Sequence, residues 1–272
     1  MQPVTMILIH VPHASTHIPP DLRDDFLLTD DELAQELLLM TDRYTDEMAR
    51  AMAASRLPGG GVPQADSVEV VEAPVSRLVC DVERFRDDRA EPMSAVGMGA
   101  IYTQTSSGAP LRPTGAAAGA AREGVLARYY DPHHARLDDL TADALEREGR
   151  CLLIDLHSFP SRALPYEQDH SLARPEICIG TDSFHTTEDL AAAAERFFTE
   201  AGLETIRNQP FSGALVPGRF YHGDRRVISV MIEVRRDLYM DERTGDRNAG
   251  FRRIEALMAE FVAEVARSQS SV

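Results

Sequence analysis

The chain has 272 residues, with 44 acidic against 28 basic side chains and a formal net charge of −16. That balance argues against nucleic-acid binding, because affinity for a phosphate backbone comes from Lys and Arg displacing counterions. Every one of the basic residues is an arginine; this cation suits bidentate carboxylate recognition, although genomic composition explains such a bias at least as well.

Length permits one large α/β core or two small domains. The richest Gly/Pro/Ala stretches, 57–63 and 106–119, are short and lie between patterned segments, so they read as surface loops and the whole chain, 1–272, as one domain. No stretch approaches 18 apolar residues, and the first residues lack the cationic and apolar blocks of a secretory leader. The expectation is a cytoplasmic protein with a small-molecule substrate and neither a nucleic-acid nor a membrane partner. The cysteines Cys80, Cys151 and Cys178 are widely spaced, two of them in apolar runs, as buried structural thiols would be.

In chain order, Met6–Val11 is a short apolar strand ended by Pro12, which leaves His13 in the loop beyond it. Residues 30–54 carry Leu33, Leu37, Met40, Tyr44 and Met48 at helical spacing behind a Thr29/Asp30 cap, and predict one helix. Residues 68–72 and 78–82 read as strands. Residues 116–145 read as two helices broken near Pro132. A six-residue apolar strand follows at 151–156, then strands at 176–180 and 203–207 flanking an amphipathic helix at 187–201. A last central strand at 227–234 and a closing helix at 251–266 complete the chain. Strands alternating with helices predict a three-layer α/β/α fold around a mostly parallel mixed sheet.

In an open α/β sheet, ligands gather at the carboxyl ends of strands. Three polar strings stand there: HVPHAS at 10–15, DLHS at 155–158 and IEVRRD at 232–237. Neutral imidazole at a strand end is well placed to bind zinc. One such histidine is more often a satisfied polar residue, but His13 and His157 at two strand ends with Glu233 at a third make a stronger pattern. Asp155, two residues before His157, points to the same side and can orient it. No G-x-S-x-G elbow is present, which disfavours a serine hydrolase.

The strings VPHAS, TDRYTDEM, SRLVCDVERF, IYTQTSSGAPLRP, DLHSFP and IEVRRDLYMDE, in this order, resemble the N-formylglutamate amidohydrolase family across nearly the whole chain. The resemblance implies a zinc-carboxypeptidase-like fold and a single zinc ion. It also implies hydrolysis of the formyl amide of an N-acyl acidic amino acid, with His13 and His157 as metal ligands and Glu233 as general base. The H-x-x-E pair of zinc carboxypeptidases is missing, since Thr16 stands at that spacing from His13, so the acid comes from elsewhere. Asp42, in the shared TDRY segment, is the expected third ligand, with Asp46 one turn later as the alternative. His10 and His17 fall outside the pattern and are read as non-ligands. The string DVERF resembles a D-x-N-R element whose arginine grips a substrate carboxylate, which makes Arg84 the expected clamp, with Arg77 and Arg235 or Arg236 as further candidates. Glu83 stands where asparagine is expected, a departure that bears on the substrate. Two alternatives remain: a hydrolase of another N-acyl amino acid or short peptide, and a catalytically silent small-molecule binding protein.

Overall fold

The computed structural model describes residues 6–55, 68–113, 115–167, 170 and 173–269; the loop expected at 57–63 lies outside them. Its centre is a six-stranded sheet in the order β2-β1-β3-β6-β4-β5. The strands are β1 (Met6–Val11), β2 (Val68–Glu72), β3 (Cys151–Phe159), β4 (Ile177–Gly180), β5 (Thr205–Arg207) and β6 (Val227–Arg235). The first four in sheet order are parallel, and the β4–β5 pair runs the opposite way against β6. This is the expected mixed α/β sheet.

The apolar strings MILIHV, CLLIDLHSF and VISVMIEVR form its buried centre, because strands covered on both faces need side chains that are apolar in both directions. Alternation then divides the residues between two cores. Ile7, Ile9, Leu152, Ile154, Leu156, Val230 and Ile232 belong to one cluster, packed under α2 (Thr45–Ala53), α5 (Glu188–Glu200) and α6 (Phe251–Gln269). Leu8, Cys151, Leu153 and Val227 face the other way, toward α4 (Asp131–Glu148). The second face also carries the polar positions His10, Asp155, His157, Ser229 and Glu233. Among the described residues no helix is long and apolar enough to cross a membrane.

Three local expectations change. The single helix over 30–54 is two helices, α1 (Asp30–Met40) and α2, separated by an extended Thr41 and by Tyr44 in the left-handed region at φ 70°. The start is as read, with Thr29 and Glu32 forming a capping box. The break is held from outside: the Asp42 amide donates to the His13 carbonyl at 2.9 Å, and the Tyr44 hydroxyl donates to the Gly245 carbonyl at 2.8 Å. These contacts offset the cost of a non-glycine residue at positive φ.

Residues 78–82 are not a strand. They are buried, but their backbone closes turns on Ser76 and Asp81, and Arg112 donates to the Leu78 and Val79 carbonyls. The buried polar backbone is satisfied without a ladder, so an apolar run alone was an ambiguous signal. Finally, α3 (Gly119–Val125) continues into α4 through a π-helical turn at Leu126–Tyr130, rather than breaking at Pro132. The wider turn accommodates the missing proline N–H at the start of α4.

Packing is close at Gly180 at the end of β4, where a Cβ would press into the Gly213 carbonyl oxygen and the Met231 side chain. Both of those residues line the large pocket described below. Gly180→Ala is therefore expected to cost about 1–3 kcal/mol of stability, the range for overpacking. Urea unfolding of the variant should show a lowered midpoint with an unchanged slope.

Candidate active site

Parallel pairing aligns His157 of β3 with Glu233 of β6, so their side chains stand next to one another on the α4 face near the carboxyl ends of both strands. His13 arrives from the loop after β1, and the break between α1 and α2 delivers Asp42. The result is a cluster of three buried side chains. His13 Nδ1 and His157 Nδ1 are 3.3 Å apart, and Asp42 Oδ2 lies 3.3 Å from His157 Nδ1 and 3.6 Å from His13 Nδ1.

These separations carry chemical information. Ligand atoms arranged tetrahedrally about zinc at roughly 2.0–2.1 Å stand about 3.3–3.4 Å from each other, so the three atoms have the spacing of one face of such a site. His13 Nε2 donates to Asp81 Oδ1 at 2.8 Å, which fixes the tautomer and leaves Nδ1 as a lone pair directed into the cluster. Donor set, burial and spacing all fit a divalent cation of the zinc type. A second group, Glu83, Asp155 and His157, is also close enough to hold a metal. It shares His157, and its Asp155 already accepts hydrogen bonds from His10 Nδ1 and the Leu215 amide.

Each candidate ligand is locked from behind. Asp42 Oδ1 accepts from Arg236 Nη2 at 2.8 Å, and Arg236 also donates to the Leu39 carbonyl and to Ser158. Burial would raise the Asp42 pKa, but the neighbouring His13 and His157 side chains and the Arg236 charge hold it well below the usual carboxylate range. Asp81 behaves alike: burial opposes ionisation, while His13, Arg77 and Arg84 hold its pKa well down. It accepts from Arg77 at 3.0 Å and from the Tyr102 hydroxyl at 2.6 Å. His157 Nε2 lies 2.8 Å from Glu83 Oε1 and 3.1 Å from Asp155 Oδ1. Burial would depress that histidine, yet Glu83, Asp155 and Asp42 raise its pKa well above the ordinary value.

Glu233 is different. It is buried, and its Oε2 has no hydrogen-bond partner, a rare condition for a carboxylate oxygen. Burial is the largest influence on it, with Asp42 and Glu83 acting in the same direction against His157 and Arg236, and its pKa is pushed up to about 8.

The cluster opens into a pocket of about 840 Å³ whose walls include Arg77, Arg84, Arg236 and Glu233. Of the expected arginines, Arg84 has a buried Nε without a hydrogen-bond partner and stands 3.6 Å from Asp81. Arg77 is spent on Asp81 and Tyr102. Arg235 is not brought to the pocket, since it turns to Asp237 and the Arg174 carbonyl. Arg236 takes its place because the strand passes into a 3-10 turn at that residue, which ends the strand alternation. Asp46 is likewise outside the cluster, paired with Arg50 on the exposed side of α2. His17 is exposed, and His10 is buried between Asp155 and His133.

One residue of the site escaped sequence reading: Asp81 lies in the DVERF string, and the signal available is that a ligating histidine needs an acceptor for its other nitrogen. Arg236 is the second of the two adjacent arginines named as candidates, and strand periodicity favours the other one, Arg235.

An α/β sheet with a two-histidine, one-carboxylate cluster at its strand ends, and an unpartnered glutamate beside it, defines the class: a protein with a candidate metallohydrolase centre. The sequence model of N-formylglutamate amidohydrolase matches residues 5–240, and the chain belongs to that family. Among solved structures, the crystal structure of N-formylglutamate amidohydrolase from Ralstonia eutropha JMP134 superposes with a TM-score of 0.79 at 23% identity, covering 98% of this chain and 94% of that one. The crystal structure of gene product Atu2144 from Agrobacterium tumefaciens gives a TM-score of 0.67 at 22% identity, with 98% and 92% covered. A comparison with curated protein sequences gives no match.

Alanine at His13, Asp42 or His157 should sharply reduce the zinc retained after dialysis, whereas Asp46→Ala should retain the wild-type amount. Asp81→Asn leaves the three cluster side chains in place but takes the charged acceptor from His13, and from Arg77 and Tyr102 with it; it should weaken zinc binding about 10–100-fold in a chelator competition.

Proposed function

We propose that the protein is a zinc-dependent amidohydrolase, one domain spanning the chain, that cleaves the N-acyl amide of an amino acid, with N-formylglutamate as the reference substrate of its family. The observation that carries this reading is the unpartnered Glu233 carboxylate beside the His13, Asp42 and His157 cluster. A divalent cation held by those three residues would acidify a water and polarise the amide carbonyl, and its charge would favour ionised Glu233.

Glu233 takes a proton from the attacking water through its free oxygen and returns it to the departing nitrogen. Its neighbour across the strand pair, His157, sits in register with it, which keeps base and cluster at a fixed separation. Arg84, which makes no hydrogen bond to a carboxylate of the protein, binds the carboxylate of the substrate and so orients the amide. The enclosing pocket walls limit bulk water around the reacting atoms. The products are a carboxylic acid, formate for a formyl substrate, and the free amino acid.

Two variants test this. Arg84→Ala should lower kcat/KM for N-formylglutamate about 10–100-fold, mostly through KM, while a matched N-formyl amine without a carboxylate loses less. Equal losses would remove Arg84 from carboxylate binding. Glu233→Gln should fold, keep zinc and lose on the order of 10²-fold or more in kcat. Near-normal turnover in that folded, zinc-loaded variant would rule out the mechanism.

Glu233→Gln also has a signature independent of activity. In metal-stripped protein the folded state binds the Glu233 proton up to about pH 8, whereas the unfolded chain releases it in the ordinary carboxylate range. Between those limits the native state holds more protons, so this residue makes stability fall as pH rises. The stability difference, variant minus wild type, should therefore grow in favour of Glu233→Gln from about pH 5 to pH 8, as read by denaturant titration.

A further inference from the structure

The cations of the pocket and the character of its mouth do not match a small dianion. The walls present three guanidinium groups, from Arg77, Arg84 and Arg236, against six carboxylates. Arg77 is hydrogen-bonded to Asp81 at 3.0 Å and Arg236 to Asp42 at 2.8 Å. Only Arg84 is not already hydrogen-bonded to a carboxylate of the protein. The residue before it is Glu83, which lines the same pocket and repels a second anionic group brought to that end.

The walls also expose apolar surface. Among the described residues the exposed large hydrophobic side chains are Leu27, Leu39, Phe85 and Tyr221, and three of these four, Leu39, Phe85 and Tyr221, line this pocket. Exposed apolar groups that line one pocket mark a site for an apolar ligand rather than ordinary surface. Deeper in, the Phe159 and Phe211 rings meet edge to face at 5.6 Å and also form part of the wall. A cavity of about 840 Å³ lies toward the upper end of the roughly 300–1,000 Å³ that encloses a drug-sized molecule, more than a formylated amino acid needs.

We propose, resting on the amidohydrolase reading above, that the preferred substrate is a monocarboxylate: an N-acyl amino acid or short peptide that carries a bulky apolar or aromatic group. Arg84 takes its single carboxylate, the cluster takes the amide, and Phe85, Leu39 and Tyr221 cover the apolar group. Burying that group against aromatic walls supplies the binding that a second carboxylate would otherwise supply.

The test compares zinc-loaded protein on N-formylglutamate, N-formylphenylalanine and N-octanoylglycine, with Glu233→Gln used to measure Kd for the same uncleaved compounds. The expected result is a kcat/KM at least about tenfold higher, and a Kd at least about tenfold lower, for one or both apolar compounds than for N-formylglutamate. Phe85→Ala, at a half-exposed site, should reduce that preference about tenfold. Glu83→Asn should shift it toward N-formylglutamate. Preference for N-formylglutamate in both turnover and binding overturns the monocarboxylate assignment and leaves the amidohydrolase reading standing. Zinc-loaded protein that hydrolyses none of the compounds overturns both.

Discussion

Two imidazole nitrogens and a carboxylate oxygen share one buried point at hydrogen-bonding distance or little more, and most of this structure is arranged to make that tolerable. Lone pairs brought together away from water repel unless a cation or a proton sits among them. The surrounding groups act on both requirements. Arg236 balances Asp42 from outside, Asp81 takes the only N–H of neutral His13, and Arg77 and Tyr102 hold Asp81 in turn. On the other side, His133, His10 and Asp155 form a buried row that ends on His157. Such networks are stable when every member is satisfied, and a single deletion exposes the cost of all the others. Against that background Glu233, the one buried carboxylate among the described residues with an unpartnered oxygen, is the group the proposed reaction uses as its base.

Much of the frame is legible in the amino-acid order because its central strands are apolar in both directions. In CLLIDLHSF the departures from that rule, Asp155 and His157, are two apart and so must share a face; VISVMIEVR places Glu233 on the same face once the strands pair in register. Periodicity therefore leads directly to half of the site. The other half depends on loops, where periodicity has nothing to report. Asp42 was reached through family resemblance, since a helical reading of 30–54 treats it as an ordinary helix acid and hides the break that aims it. Asp81 belongs to a buried run that looks like a strand and folds as turns. The neighbours Arg235 and Arg236 exchange roles because a 3-10 turn begins between them, and no propensity distinguishes two identical residues.

The pocket separates the two tasks of a hydrolase. In the proposed reaction the groups that act on the amide come from β3, β6 and the two loops beside them, whose atoms are fixed by register and by charged hydrogen bonds. Groups that would meet the rest of the substrate are half-exposed side chains such as Phe85 and Tyr221, the latter stacked on His222 and His185. Likeness to N-formylglutamate amidohydrolase from Ralstonia eutropha JMP134 at 23% identity establishes the frame they share. It leaves the outer walls free to differ.

The segment between β5 and β6 gives this separation a physical basis. Its residues Leu215, Val216 and Phe220 pack into the core on the α4 face, Leu215 is tied by its amide to Asp155 and by its carbonyl to the Ser229 hydroxyl, and Phe211 to Val216 form pocket wall. Part of a sheet face is thus roofed by irregular chain. Irregular chain tolerates insertions and deletions that a helix or strand does not. Changes in the length of this roof can remodel what the cavity admits while its anchors on Asp155 and Ser229 keep the sheet below in place, so descendants of this fold can acquire new diets by loop drift and retain one buried cluster of His13, Asp42 and His157.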